Sequence, residues 1–195
     1  MISVGMKLIS PAPLSFSPSL SSASSWHTAQ SAFPGSPTSA SGSSTTFAPT
    51  EILPRLFISD LGAAESATTL TSLGITHVVS AMCGRVLVPS GMPLKHLQLP
   101  IHDNPFAELA QLLPAATSFV SDALRDPNAR VLVHCVQGVS RSSSVVCAFL
   151  IAHYGWSPDR ALQFVRSKWS RANPNPGFVD QLSEYAESLR APARQ

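Results

Sequence analysis

One stretch of the chain, from Arg130 to Ala152, restricts the fold more than any other. Val131, Leu132 and Val133 form an unbroken apolar run, the pattern of a strand covered on both faces and so placed at the centre of a sheet. Then come His134, Cys135, Val136, Gln137, Gly138, Val139, Ser140 and Arg141, and the residues from Ser142 to Tyr154 read as a helix. The neighbouring sequence repeats this alternation. His77 to Met82 and Lys95 to Ile101 read as strands, and Ile52, Leu53, Leu56, Phe57 and Ile58 as a short first strand broken by Pro54, an edge position. Asp60 caps an expected helix from Leu61 to Leu73 that Gly74 closes. Leu109, Leu112, Leu113, Ala116, Phe119, Val120 and Leu124 keep helical spacing, and Pro114 either starts the main helix or kinks it. Ser157 and Pro158 open a helix carrying Leu162, Phe164, Val165 and Trp169, and a last helix sets Phe178, Leu182, Tyr185 and Leu189 on one face. Strands alternating with helices predict an α/β domain: a central, mostly parallel sheet flanked by helices, with its ligand site at the carboxyl ends of the strands.

Composition divides the chain. Residues 1–49 are about half Ser, Thr and Pro and carry Lys7 as their only charge, so they lack the apolar surface that would offset the entropy of ordering. A disordered tail is expected there, a folded domain of roughly 140 residues, an ordinary size, over 50–190, and a short tail over 191–195. A net charge of +2 predicts neither nucleic acid nor a membrane surface as the principal partner. The apolar run Val145 to Ala152 falls far short of the roughly 20 residues a bilayer span needs. The opening MISVGMKLISPAP has no leader-like apolar core and no transit-peptide arginines, so a cytoplasmic or nuclear location is expected. Cys83, Cys135 and Cys147 show neither CxxC nor CxxH spacing. A disulfide framework and a structural zinc are therefore not expected, and no metal or cofactor is called for.

Five residues separate Cys135 from Arg141. A loop of that length between a strand and a helix can curl until several backbone N–H groups meet at one point, where the helix N-terminus adds its positive end. An anion fits there. Arg141 supplies a planar, bidentate clamp for two phosphate oxygens, and Gly138 allows the backbone to turn. The donors that hold a phosphate also favour an ionised sulfur at Cys135, which makes it a nucleophile. Ser142 can donate its hydroxyl to that sulfur. A cysteine ending a strand is more often a small buried hydrophobe, but the arginine and glycine at these distances point to chemistry.

The segment HCVQGVSRS resembles the HCxxGxxRS signature loop of the protein tyrosine phosphatase superfamily, and VHCVQGVSRSSSVVCAFLI resembles its dual-specificity branch. LPIHDNP is similar to the loop of that branch that bears the general-acid aspartate, and NPNPGFVDQL to the turn that opens its last helix. The resemblance covers residues 51–190, and the absence of an upstream rhodanese-like domain makes the chain similar to the small atypical members. Gln137 departs from the small residue common at its position. The resemblance implies a protein phosphatase acting on phosphotyrosine, and on phosphoserine and phosphothreonine, through a phosphocysteine. Its phosphate loop is then Val136, Gln137, Gly138, Val139 and Ser140, and its partner a phosphorylated protein. It also makes a protective, reversible disulfide between Cys83, near the end of its strand, and an oxidised Cys135 conceivable.

A leaving phenolate or alkoxide needs a proton donor. Asp103 is the choice, since it follows a strand expected to lie parallel beside the central one; Glu108 is the reserve, and Asp126 falls at the wrong end. His134 points to the opposite face from Cys135 and is expected to support the loop. Cys147 is expected in the core. Arg166, Lys168 and Arg171 read either as a solvated face or as a second phosphate contact. Two other functions compete: the same chemistry on phosphoinositides, RNA ends or phosphoglycans, and a phosphate-binding module without turnover. Val136, Gln137 and Val139 bring no charge for multiply charged substrates, and intact Cys135, Arg141 and Asp103 oppose loss of turnover.

Overall fold

The structure is a computed structural model that describes residues 47–191. The tail expected over residues 1–49 lies outside the described residues as far as position 46, and so do residues 192–195. In chain order the elements are β1 (Thr50–Leu53), β2 (Leu56–Ser59), α1 (Leu61–Ala64), α2 (Ala67–Ser72), β3 (His77–Ala81), β4 (Lys95–Leu99), α3 (Leu113–Leu124), β5 (Val131–His134), α4 (Arg141–Tyr154), α5 (Pro158–Lys168) and α6 (Pro176–Arg190).

The sheet runs β1-β2-β5-β3-β4. β5 lies in the middle, as its apolar run predicts, and pairs in parallel with β2 and β3; only β1 is antiparallel. Alternation along the strands feeds two cores. Leu56, Ile58, Val79, Ala81, Val131 and Val133 face a large layer built by α3, α4, α5 and α6, while Phe57, Val78 and Leu132 face α1 and α2. Ten consecutive residues of α4, Ser142 to Ile151, are buried, so this helix is enclosed on every side. α6 lays Phe178, Leu182, Tyr185 and Ala186 on that layer, and the Tyr185 hydroxyl meets Thr117 Oγ1 of α3 at 3.0 Å. Among the described residues no helix is long and apolar enough to cross a membrane.

Four expectations need correction. The broken first strand is a hairpin: Pro54 and Arg55 form its turn, with Arg55 at φ 71 in the position where a type II turn requires a positive angle. Arg55 offsets that strain by donating its N–H to Glu51 Oε1 at 2.7 Å and its guanidinium to the carbonyls of Leu124 (3.0 Å) and Asp126 (2.6 Å), at the end of α3. The helix from Leu61 to Leu73 is two short ones, because Ser66 breaks it and caps the second through Thr69 N–H. β4 pairs with β3 and not with β5, so it is the next strand but one from the centre. Leu189, on the last turn of α6, is exposed. Pro114 starts α3 without kinking it.

Candidate active site

The register Ser59↔His134↔Ser80 brings the carboxyl ends of β2, β5 and β3 level, and the chain leaves β5 there into the loop 135–140. Gly138 has φ +69, and a Cβ on it would stand 2.8 Å from the Ser59 carbonyl oxygen. Only glycine meets both conditions without shifting the loop. The curl turns the Gly138 N–H onto Cys135 Sγ at 3.2 Å, and Ser142 Oγ lies 3.3 Å from the same sulfur. A backbone N–H and a hydroxyl thus meet at a sulfur that is itself buried. Ser140 is the N-cap of α4, yet its side chain makes no capping bond. The amides of the first turn of this 14-residue helix therefore stay available at the loop. Val136 and Gln137 lie exposed at the rim and Val139 is half-buried.

Asp103 reaches this loop although its strand is not adjacent, because residues 100–102 carry the chain back across β3. Its Oδ1 accepts from Ser140 Oγ at 2.7 Å and Asn175 Nδ2 at 2.9 Å, and Oδ2 stands 3.7 Å from Arg141 Nε. The Arg141 side chain is 12% exposed and also donates to the Ile101 carbonyl at 3.3 Å, so its guanidinium lies along the loop wall beside the carboxylate. Cys135, Gly138, Ser140, Arg141, Ser142 and Asp103 thus meet at one place. Glu108 does not join them: it is exposed and takes Gln111 Nε2 as partner. Asp126 lies before β5, where it receives Asn128 N–H.

Several supporting residues escape sequence reading. Asn175 caps α6 through Phe178 N–H while its backbone N–H donates to Ser140 Oγ, so one residue fixes both Ser140 and Asp103. An Asn directly before Pro176 is a capping signal that would have found the first role; the reach to Asp103 depends on where α6 docks. Gly177 allows that docking, since a Cβ there would come within 1.9 Å of the Pro105 carbonyl oxygen. Trp169 donates Nε1–H to the Gly138 carbonyl at 2.6 Å.

His134 faces away from the sulfur and is fully buried. A carbonyl can only accept, so the 3.4 Å contact to Cys135 O fixes the ring proton on Nδ1. Nε2 then accepts from Ser80 Oγ at 2.6 Å, and Ser80 accepts from His96 Nε2 at 2.7 Å. Burial pushes the His134 pKa from 6.5 down to about 4. The unfolded chain thus binds a proton between these values that the folded one does not. The stability due to the neutral ring is complete above pH 6.5 and is lost as the pH falls toward 4, on the order of 3 kcal/mol over the window 6.5 to 4. His134→Asn should flatten the pH dependence of denaturant unfolding across that window. Slopes equal to wild type would contradict this.

The remaining candidates make no hydrogen bond to the sulfur. Burial raises the Cys147 thiol to about 12, which leaves it an inert core residue, and Cys83 is free and half-buried. Arg166 is taken up by Ala172 O and Asn173 Oδ1, Lys168 is exposed, and Arg171 stacks on Phe47. Among the described residues no group of three or more His, Cys, Asp or Glu side chains is placed to hold a metal ion.

The family described as "Dual specificity phosphatase, catalytic domain" matches residues 56–188. The mouse protein "Dual specificity protein phosphatase 13B" is 40% identical over 72% of this chain and 73% of its own length. Bovine "Dual specificity protein phosphatase 26" is 33% identical over 72% and 68%. The crystal structure of human DUSP28 superposes with a TM-score of 0.68 at 32% identity, covering 74% of this chain and 96% of that one. A signature loop cradling a buried cysteine, the matching domain over most of the folded part and these relatives together establish that the chain belongs to the small atypical dual-specificity phosphatases of the protein tyrosine phosphatase superfamily.

Proposed function

We propose that Cys135 is the nucleophile, Asp103 the general acid, Arg141 with the loop amides the phosphate clamp, and Ser142 the residue that eases release of the sulfur. The observation that carries this reading is the position of Sγ, within 3.2 Å of the Gly138 amide and 3.3 Å of the Ser142 hydroxyl, beside the uncapped start of α4. Sγ attacks phosphorus in line, forming the S–P bond as the ester P–O bond breaks, and the departing oxygen takes its proton from Asp103. Water then attacks the phosphocysteine, gives a proton to Asp103 and releases inorganic phosphate. Sulfur leaves as thiolate, with the Ser142 hydroxyl donating to it.

The substrate in this reading is a phosphoprotein, with phosphotyrosine turned over along with phosphoserine and phosphothreonine. Val136 and Gln137 at the rim carry no charge, so nothing on them attracts the additional phosphates of an inositol phosphate. Purified protein given phosphotyrosine peptides, soluble inositol phosphates and a phosphoglycan should have its highest kcat/KM on the peptides. The reverse order would reject a protein substrate while leaving the chemistry standing.

A further inference from the structure

Two segments more than a hundred residues apart in sequence grip the phosphate loop. Residues 59–61 hold one side: Leu61 N–H donates to the Val136 carbonyl at 3.2 Å, and the Ser59 carbonyl closes the space beside Gly138. Residues 169–173 hold the other: Trp169 Nε1–H donates to the Gly138 carbonyl at 2.6 Å, and Asn173 N–H to the Val139 carbonyl at 2.9 Å. Phe47 touches both. Its backbone N–H donates to Asp60 Oδ2 at 2.8 Å, while the other oxygen of Asp60 caps α1 through Ala63 N–H at 3.0 Å. Its ring lies under the Arg171 guanidinium, 3.5 Å from Cζ to centroid, and meets Trp169 edge-on at 6.5 Å and 88°. Arg171 Nη1 is buried with no hydrogen-bond partner, so contact with aromatic faces is what holds this end of the guanidinium.

We infer that Phe47 is a positioning residue for the phosphatase reaction, a staple that joins the two grips on the phosphate loop and so keeps its amides and Arg141 in register for the transition state. The inference rests on the loop being the phosphate cradle. Phe47 precedes the boundary that composition places near Thr50, so the catalytic unit begins earlier than the sequence pattern indicates. Donors aimed at developing charge act on the transition state more than on the bound ground state, so a loosened loop lowers kcat before it raises KM.

The experiment uses the full chain with Phe47→Ala, Phe47→Leu and Phe47→Tyr, assayed on a small aryl phosphate well below each variant's thermal midpoint. Phe47→Ala should lower kcat about fivefold, the rate equivalent of one well-packed cation–π contact, with KM within about twofold of wild type. Phe47→Leu fills the volume without a π face and should stay impaired, whereas Phe47→Tyr should restore the rate. Wild-type kcat in the alanine variant would overturn the inference. So would full recovery by leucine, or a loss confined to KM. An inactive wild-type chain would instead count against the catalytic reading.

Discussion

Cys135→Ser should lower kcat for any phosphomonoester by at least about ten-thousandfold, the scale on which enzymes that depend on one nucleophile fail. Gly138 N–H and Ser142 Oγ converge on the atom at this position, and a serine there keeps both neighbours. A hydroxyl in the same cradle stays protonated near neutral pH and is a far weaker nucleophile than a thiolate. The cradle itself is backbone amides, the start of α4 and Arg141, none of which the substitution removes. Inorganic phosphate or vanadate should therefore bind the variant within a few fold of wild type. Retention of a tenth of the wild-type rate would eliminate the phosphocysteine route. Loss of both turnover and anion binding would mean that the loop had collapsed, which a thermal melt would reveal.

Asp103→Ala is the second large effect, and its signature is a difference between leaving groups. A general acid helps only where charge builds on the departing oxygen, so a phosphotyrosine peptide should lose about a hundredfold or more in kcat. An aryl phosphate of a very acidic phenol needs no proton and should lose much less. Some loss remains even there, because Asp103 also receives Ser140 and Asn175 and stands beside Arg141. Equal losses with both substrates would assign Asp103 to anchoring alone and reject it as the general acid.

The parts of this arrangement legible in the sequence are those that one stretch of chain determines by itself. The apolar run of β5, the five residues between Cys135 and Arg141, and the glycine that turns the loop are all local, and all read correctly as geometry. Pairings between distant segments were harder. Pro54 was legible as a breaker, but only the return of β2 against β1 makes it a turn, and only the carbonyls after α3 stabilise Arg55 there. Ser66 carried a capping signal that an otherwise continuous helical stretch hid. Asp103 was placed on the correct end of the sheet by a wrong neighbour relation, since β4 pairs with β3 and the loop after it crosses back. Asn175, Trp169, the Ser80 and His96 hydrogen bonds behind His134, and Phe47 each act through a contact with a residue at least 13 positions away. No periodicity records such contacts.

The most direct test of the mechanism looks for the covalent intermediate itself. Wild-type protein mixed with excess aryl phosphate, quenched within the first turnover and digested, should yield the peptide containing Cys135 with one phosphoryl group on sulfur. That label should form as fast as the first equivalent of phenol is released. Steady turnover with no label on Cys135 and no burst of phenol would mean that water attacks the substrate directly, and the roles assigned to the loop, to Cys135 and to Ser142 would be wrong.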